Sequence, residues 1–117
     1  MNEKPVFNEA QLIDSAADDA ELAQQVVALF LSDTPKLLGS LEEALNNGDA
    51  KTAERLAHSL KGSAATIGGQ ALGETMGICE ALGREGKLDE LKTRLPDLYE
   101  QYRKLCQELA NAGYSQA

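Results

Sequence analysis

Seven apolar residues near the end of the chain recur at alternating intervals of three and four positions: Leu88, Leu91, Leu95, Leu98, Tyr102, Leu105 and Leu109. In an α-helix this spacing places every member on one side. Such a stripe is stable in water only when it is buried, and near-parallel packing against other helices buries it well. The pattern predicts a helix over residues 88–112, kinked at Pro96 because proline removes a backbone hydrogen-bond donor.

Capping and turn signals divide the rest of the chain into further helices. Asn8, Asp18 and Asp49 each precede an apolar periodic stretch, as an N-cap residue does. Because the connections are short, sequential helices are expected to be antiparallel. The predicted fold is all-α: one domain over residues 1–117, an antiparallel up-down four-helix bundle with a short N-terminal helix across one end. The first four helices are expected at approximately residues 8–16, 18–47, 49–67 and 71–85.

Prolines and glycines inside these helices carry further expectations. Pro35 lies within the second helix and predicts a kink near residues 32–34. Gly73 and Gly77 lie one turn apart on the fourth helix, where they are expected to let a neighbouring helix approach closely.

Charge and composition exclude several classes of function. The formal net charge is −8, and a chain without a basic run is a poor nucleic-acid binder because phosphate neutralisation requires Lys and Arg. No apolar run approaches the ~20 residues of a membrane span, and residues 1–5 do not resemble a signal peptide, so a cytoplasmic location is expected. Cys79 and Cys106 stand far apart and are expected to pack as small apolar residues. We expect a monomer with no cofactor and no metal.

The single histidine lies on the polar side of the third predicted helix. The apolar stripe of that helix consists of Ala53, Leu56, Leu60, Ala64 and Ile67. At about 100° per residue, His58 lies roughly 160° from the centre of this stripe. His58 is therefore predicted to face solvent rather than the core.

The neighbours of His58 on that face suit attack by the imidazole on a phosphoryl group. Gly62 and Ala65 lie one and two turns ahead and are small, and Lys61 lies beside the ring with a flexible ammonium. Neutral imidazole is nucleophilic near pH 7 because the ordinary pKa of histidine is about 6.5. In-line attack requires open space, and a lysine can stabilise the transferred phosphate. An incidental surface histidine remains the alternative.

The third predicted helix contains the motif His58-Ser59-Leu60-Lys61-Gly62-Ser63-Ala64, which is followed by Gly68 and Leu72. This pattern resembles the signature of histidine-containing phosphotransfer (Hpt) domains, the carrier modules of multistep phosphorelays. The similarity extends over about residues 10–112. The resemblance implies that His58 is phosphorylated on Nε2, that Lys61 assists the phosphoryl group and that Gly62 opens access to it.

The resemblance also implies two supporting residues on the following helix. Glu80 matches the polar residue that the family places near the histidine, and Arg84 matches a basic residue that some members carry one turn later. A carboxylate at Glu80 would orient the Nδ1–H of the imidazole but repel an added phosphate. A solvated Glu80, or an ion pair between Glu80 and Arg84, is the alternative.

The expected function is that of a phosphorelay intermediate. It would accept a phosphoryl group on His58 from a receiver-domain aspartyl phosphate and pass it to another receiver. The expected partners are response-regulator receiver domains and a hybrid sensor histidine kinase. The sequence has no nucleotide-binding motif, so ATP-dependent kinase activity is not expected. The rival interpretation is a helical adaptor that binds a signalling partner without chemistry.

Overall fold

The computed structural model describes residues 4–114, which form six α-helices and no strand. The all-α class is therefore confirmed, while the antiparallel order of the bundle stays a prediction. No helix in this range is long and apolar enough to cross a bilayer. The helices are α1 (Glu9–Ser15), α2 (Ala20–Asn46), α3 (Ala50–Ile67), α4 (Gln70–Arg84), α5 (Leu88–Lys92) and α6 (Leu95–Asn111).

Short polar side chains begin the first three helices. The side chains of Asn8, Asp19 and Asp49 accept hydrogen bonds from backbone N–H groups of the first turn, which would otherwise have no partner. The expected cap Asp18 is one residue early: its φ of 62° places it in the preceding turn. α2 remains helical through Pro35.

The last predicted helix is two helices in the structure, so a single helix over residues 88–112 is wrong. α5 ends at Lys92, and the backbone N–H of Arg94 turns back to the carbonyl of Leu91 at 2.9 Å. Pro96 lies in the first turn of α6, where a missing N–H is harmless, so proline starts a new helix instead of kinking an old one. The apolar stripe nevertheless points inward: Leu91, Leu98, Leu105 and Leu109 are fully buried.

The N-terminal segment crosses the turn between α3 and α4. The N–H of Asn8 donates to the carbonyl of Gly68 at 2.8 Å, and the N–H of Ala71 donates to the carbonyl of Pro5 at 2.9 Å. Gly68 adopts a φ of 81°, and a Cβ there would collide with the Asn8 carbonyl, so only glycine fits this turn. α1 is thereby fixed at one end of α3, which agrees with the expected position of the short first helix.

α3 and α4 form the most extensive helix pair, and this pair carries the candidate site. Gly83 allows the close approach, because a Cβ at this position would lie 3.0 Å from the Cα and N of Glu54. The expected close-approach glycines are less crowded. A Cβ at Gly73 or Gly77 would lie at ordinary van der Waals distance, 3.7 Å and 3.6 Å from its nearest neighbour.

Candidate functional site

His58 projects from the outer side of α3. Its side chain is 68% exposed, whereas Ala57 and Leu60 on the inner side of the same helix are buried. The prediction from helical periodicity that His58 faces solvent is confirmed. A side chain placed in this way is accessible to a macromolecular partner, whereas a core histidine is not.

One ring nitrogen of His58 is occupied by a carboxylate from the next helix. Nδ1 of His58 lies 2.9 Å from Oε2 of Glu80, whose side chain is only 10% exposed. An ionised carboxylate only accepts hydrogen bonds, so this contact places the imidazole proton on Nδ1. Nε2 is then left with its lone pair on the open side of the ring.

Glu80 is the centre of a cluster of charged side chains, which we call the Glu80 cluster: His58, Lys61, Arg84, Glu54 and Glu80. Lys61 Nζ lies 2.7 Å from one carboxylate oxygen of Glu80, and Arg84 donates to the other at 3.1 Å. The hydrogen bond from Lys61, together with that from His58, lowers the pKa of Glu80 against the raising effect of its burial. Glu80 is therefore ionised at neutral pH.

The contacts of Glu80 exclude one of the alternatives that the sequence left open. Glu80 is not a solvated helix residue: it is buried, contacts His58 and also forms the i,i+4 ion pair with Arg84. Arg84 divides its guanidinium between Glu80 and Glu54, donating to Glu54 Oε2 at 3.0 Å. Sequence reasoning missed Glu54, although its position one turn before His58 places it on the same side of α3.

Lys61 is more constrained than the sequence suggested. We expected a flexible ammonium beside His58, but the ion pair with Glu80 holds it over the α3–α4 contact, with its side chain 42% exposed. The aliphatic part of the Lys61 side chain packs over Gly77, since a Cβ placed on Gly77 would lie 3.6 Å from Lys61 Cδ. Lys61 and His58 therefore contact the same carboxylate, that of Glu80.

The surface ahead of His58 toward the end of α3 is open. Gly62 and Ala65 are both exposed, and a Cβ placed on Gly62 would meet no atom within 4 Å. The hydroxyl of Thr66 donates to the carbonyl of Gly62 at 3.0 Å, which satisfies the backbone there. The helix therefore presents an unobstructed surface one turn beyond His58.

Depressions border this surface, and two of them involve the side of α3 that carries His58 or its contact with α2. A cleft of about 320 Å³ behind His58 is lined by Lys51, Glu54, Arg55, His58 and Glu80. An apolar groove of about 160 Å³ lies between α2 and α3, and Leu29 on its rim is 63% exposed. Lys51 and Arg55 were not singled out from the sequence, although they precede His58 by seven and three positions and so share its side of α3.

The cysteines and the acidic residues form no second centre in the part of the chain that is described. No group of three or more His, Cys, Asp or Glu side chains there is arranged to hold a metal ion. Cys79 is fully buried, and burial raises the pKa of its thiol to about 11. Cys106 is partly buried, and burial raises the pKa of its thiol as well. Both thiols are therefore poor nucleophiles at neutral pH.

The chain matches a known protein family. Residues 25–112 match the family model described as Hpt domain. This range covers most of the chain, from within α2 to the end of α6, and includes the whole Glu80 cluster. Neither the comparison with curated proteins nor that with solved structures gives a match.

Proposed function

The chain belongs to the Hpt domain family, whose members carry phosphoryl groups in two-component phosphorelays, and we propose that it is a relay intermediate that uses His58. It accepts the phosphoryl group from the aspartyl phosphate of one receiver domain and passes it to the aspartate of another. It works as a phosphocarrier in the cytoplasm, as a monomer, and has no ATP-dependent kinase activity of its own.

One observation carries this proposal: His58 is exposed while its Nδ1 is held by Glu80. The hydrogen bond fixes the ring orientation and the tautomer, so that Nε2 presents its lone pair to solvent. Phosphoryl transfer depends mainly on positioning and on charge stabilisation, because little covalent chemistry is required of the carrier. An oriented, exposed Nε2 supplies the positioning.

The remaining residues of the site have separate roles in the proposal. Lys61 moves from Glu80 toward the phosphoryl oxygens and forms a charge-assisted hydrogen bond, and Arg84 supports it from α4. Gly62 and Ala65 leave the line of attack on Nε2 open to a bulky partner. The acceptor aspartate and its magnesium ion belong to the receiver, so the partner supplies most of the catalysis.

The proposed receiver-binding surface is the outer side of α3 with the adjoining edge of α2. Ser63 and Thr66 line the apolar groove between these helices and also follow Gly62 on α3, so the groove is continuous with the surface around His58. Exposed Leu29 then supplies apolar area to a contact that must still separate quickly. A modest interface suits such a transient complex.

The test is transfer from a phosphorylated receiver domain to the full chain. We expect acid-labile, base-stable phosphate on the wild-type protein and none on His58→Gln. Because His58 is exposed, the free energy of unfolding of this variant should change by no more than about 0.5 kcal/mol. Ser59→Gln, an equally exposed neighbour, is the matched control and should still be phosphorylated. A wild-type protein that binds the receivers yet never takes up phosphate would establish the adaptor function instead.

A further inference from the structure

The charges of the Glu80 cluster are balanced only while His58 is unphosphorylated. Lys61 and Arg84 provide two positive charges, and Glu54 and Glu80 provide two negative charges. A phosphoryl group on Nε2 adds further negative charge at neutral pH. The two cations must then be shared among three anionic groups, so Glu80 loses part of its compensation in the phosphorylated state.

The group that Glu80 still holds in that state is the Nδ1–H of His58. The bond from Nε2 to phosphorus takes up the lone pair of Nε2, and with a proton on Nδ1 the ring becomes a phosphorylated imidazolium. The Nδ1–H then donates from a positively charged ring to a carboxylate at 2.9 Å, and charged partners strengthen a hydrogen bond. The contact thus becomes stronger on phosphorylation.

This proton determines what leaves when the phosphoryl group is transferred. In the transfer step the P–Nε2 bond breaks and its electron pair stays on Nε2, while an oxygen of the acceptor carboxylate forms the new P–O bond. If Nδ1 carries a proton, the leaving group is neutral imidazole. If Nδ1 has lost it, the leaving group is the strongly basic imidazolate, and transfer is much slower.

We infer that Glu80 keeps the proton on Nδ1 of phosphorylated His58 while the phosphoryl group leaves, so that the leaving group is neutral imidazole. Glu80 acts here as a positioning residue, because it touches the ring and not the phosphoryl group. The inference rests on the proposed transfer through His58 and extends it to the discharge step. This role explains why a carboxylate lies beside His58 although it repels the phosphoryl group.

Other charged groups that face the ring oppose or modify this effect. The cations on α3 and α4 disfavour a positively charged ring: Lys51, Arg55, Lys61 and Arg84. Glu54 on α3 favours it. Glu80 makes the only ion pair with His58 among residues 4–114, and it is the more buried partner. Screening by solvent weakens the more distant groups most, so the direct contact with Glu80 should dominate.

The experiment needs no partner protein. The full chain is phosphorylated on His58 with phosphoramidate, and hydrolysis of the phosphohistidine and the ¹⁵N shifts of its ring are followed against pH. We expect the Nδ1 proton of wild type to be lost at a higher pH than in free phosphohistidine. Glu80→Gln, which keeps a hydrogen-bond acceptor but no charge, should lower this midpoint by about one pH unit and slow discharge about tenfold above it.

Glu54→Gln is the matched control, because it removes a carboxylate that contacts Arg84 and not the imidazole. Its midpoint should fall much less than that of Glu80→Gln, because Glu54 has no direct contact with the ring and its charge is screened by solvent. Equal midpoints for wild type and Glu80→Gln, or an equal shift in both variants, would overturn the inference. If Glu80→Gln fails to fold, a wild-type midpoint no higher than that of free phosphohistidine would still overturn the inference. Failure of transfer from a receiver would instead refute the proposed function, which is measured separately.

Discussion

At the residue scale, the absence of a side chain at position 62 is the feature of the site most easily tested. Gly62→Gln should slow transfer at least tenfold, because the new side chain occupies the open surface beside Nε2. The same change should stabilise α3 by about 0.5–1 kcal/mol, since glycine is a poor helix former. Gly39→Gln on α2 is the control: it is equally exposed and uncrowded, so it should stabilise the protein without changing the transfer rate. Equal transfer rates for both variants would show that access at Gly62 is unimportant.

Lys61 affects the stability of the protein through the pKa of Glu80. Lys61→Ala should raise that pKa toward its ordinary value, since the hydrogen bond from Lys61 is the largest cause of its lowering. When folding lowers the pKa of a carboxyl, the carboxyl stabilises the protein at any pH above its pKa in the unfolded chain. This contribution is lost as the pH falls through its pKa in the folded protein. The variant should therefore melt below wild type at pH 7, and the difference should shrink in acid and vanish once the pH falls below the lowered pKa of Glu80 in the folded wild type. Thermal melts from pH 3 to 8 and an NMR titration of Glu80 measure both effects; a difference that persists in acid would contradict the ion pair as its source.

Lys61→Ala should also slow phosphorylation of His58 several-fold, because the ammonium no longer reaches the phosphoryl oxygens. Lys61→Ala combined with Arg84→Ala should be slower still, since both cations contact the same carboxylate beside the ring. Stopped-flow transfer from a phosphorylated receiver measures the single and double variants. Unchanged rates in all of these variants would show that neither cation assists transfer electrostatically, and that the open surface around His58 is the feature that matters.

The residues of the site differ in how well the sequence predicts them. The exposure of His58 and the openness at Gly62 follow from periodicity within one helix, and both are confirmed. The contact between Lys61 and Glu80 could not be predicted in the same way. It depends on the separation and relative rotation of α3 and α4, which no pattern within either helix specifies.

At the element scale, Gly83 sets the separation of α3 and α4. Gly83→Ala should destabilise the fold by about 1–3 kcal/mol, because the new Cβ would lie 3.0 Å from backbone atoms of Glu54 that cannot move aside. Gly77→Ala on the same helix should instead stabilise it by about 0.5–1 kcal/mol, since its Cβ meets only Lys61 Cδ at 3.6 Å. Urea denaturation of both variants measures the contrast; equal stabilities would show that Gly83 does not set the helix separation.

The break between α5 and α6 shows a different limit of sequence patterns. The apolar stripe from Leu88 to Leu109 correctly predicted the buried side, since both helices turn it toward the same core. Periodicity did not reveal the break because a short turn can preserve the inward direction of a stripe while interrupting the hydrogen bonds. Pro96 was a signal of the interruption, but a proline within a helical pattern is compatible with a kink or with a new helix.

At the scale of the whole molecule, charge is distributed unevenly about the site. The chain has a formal net charge of −8, yet α3 carries three cations and one carboxylate. Lys51 and Arg55 line the cleft beside His58, and neither forms an ion pair among residues 4–114. A positive surface on an acidic protein favours one orientation of approach by an anionic partner, because the rest of the molecule repels it.

The receiver should therefore associate with the α3 surface at a rate that depends on salt and on these two cations. Lys51→Glu should slow association a few-fold at low ionic strength, with the effect fading as salt screens it. Lys92→Glu makes the same charge change at an exposed position on α5, away from the cleft, and should slow association much less. Stopped-flow binding of a cognate receiver to both variants measures the difference. The measurement is made at about 20 mM salt, where screening is weak, and at about 500 mM salt, where it is strong. Equal slowing by both variants would mean that only the total charge matters, and the cleft beside His58 would then lie outside the receiver-binding surface.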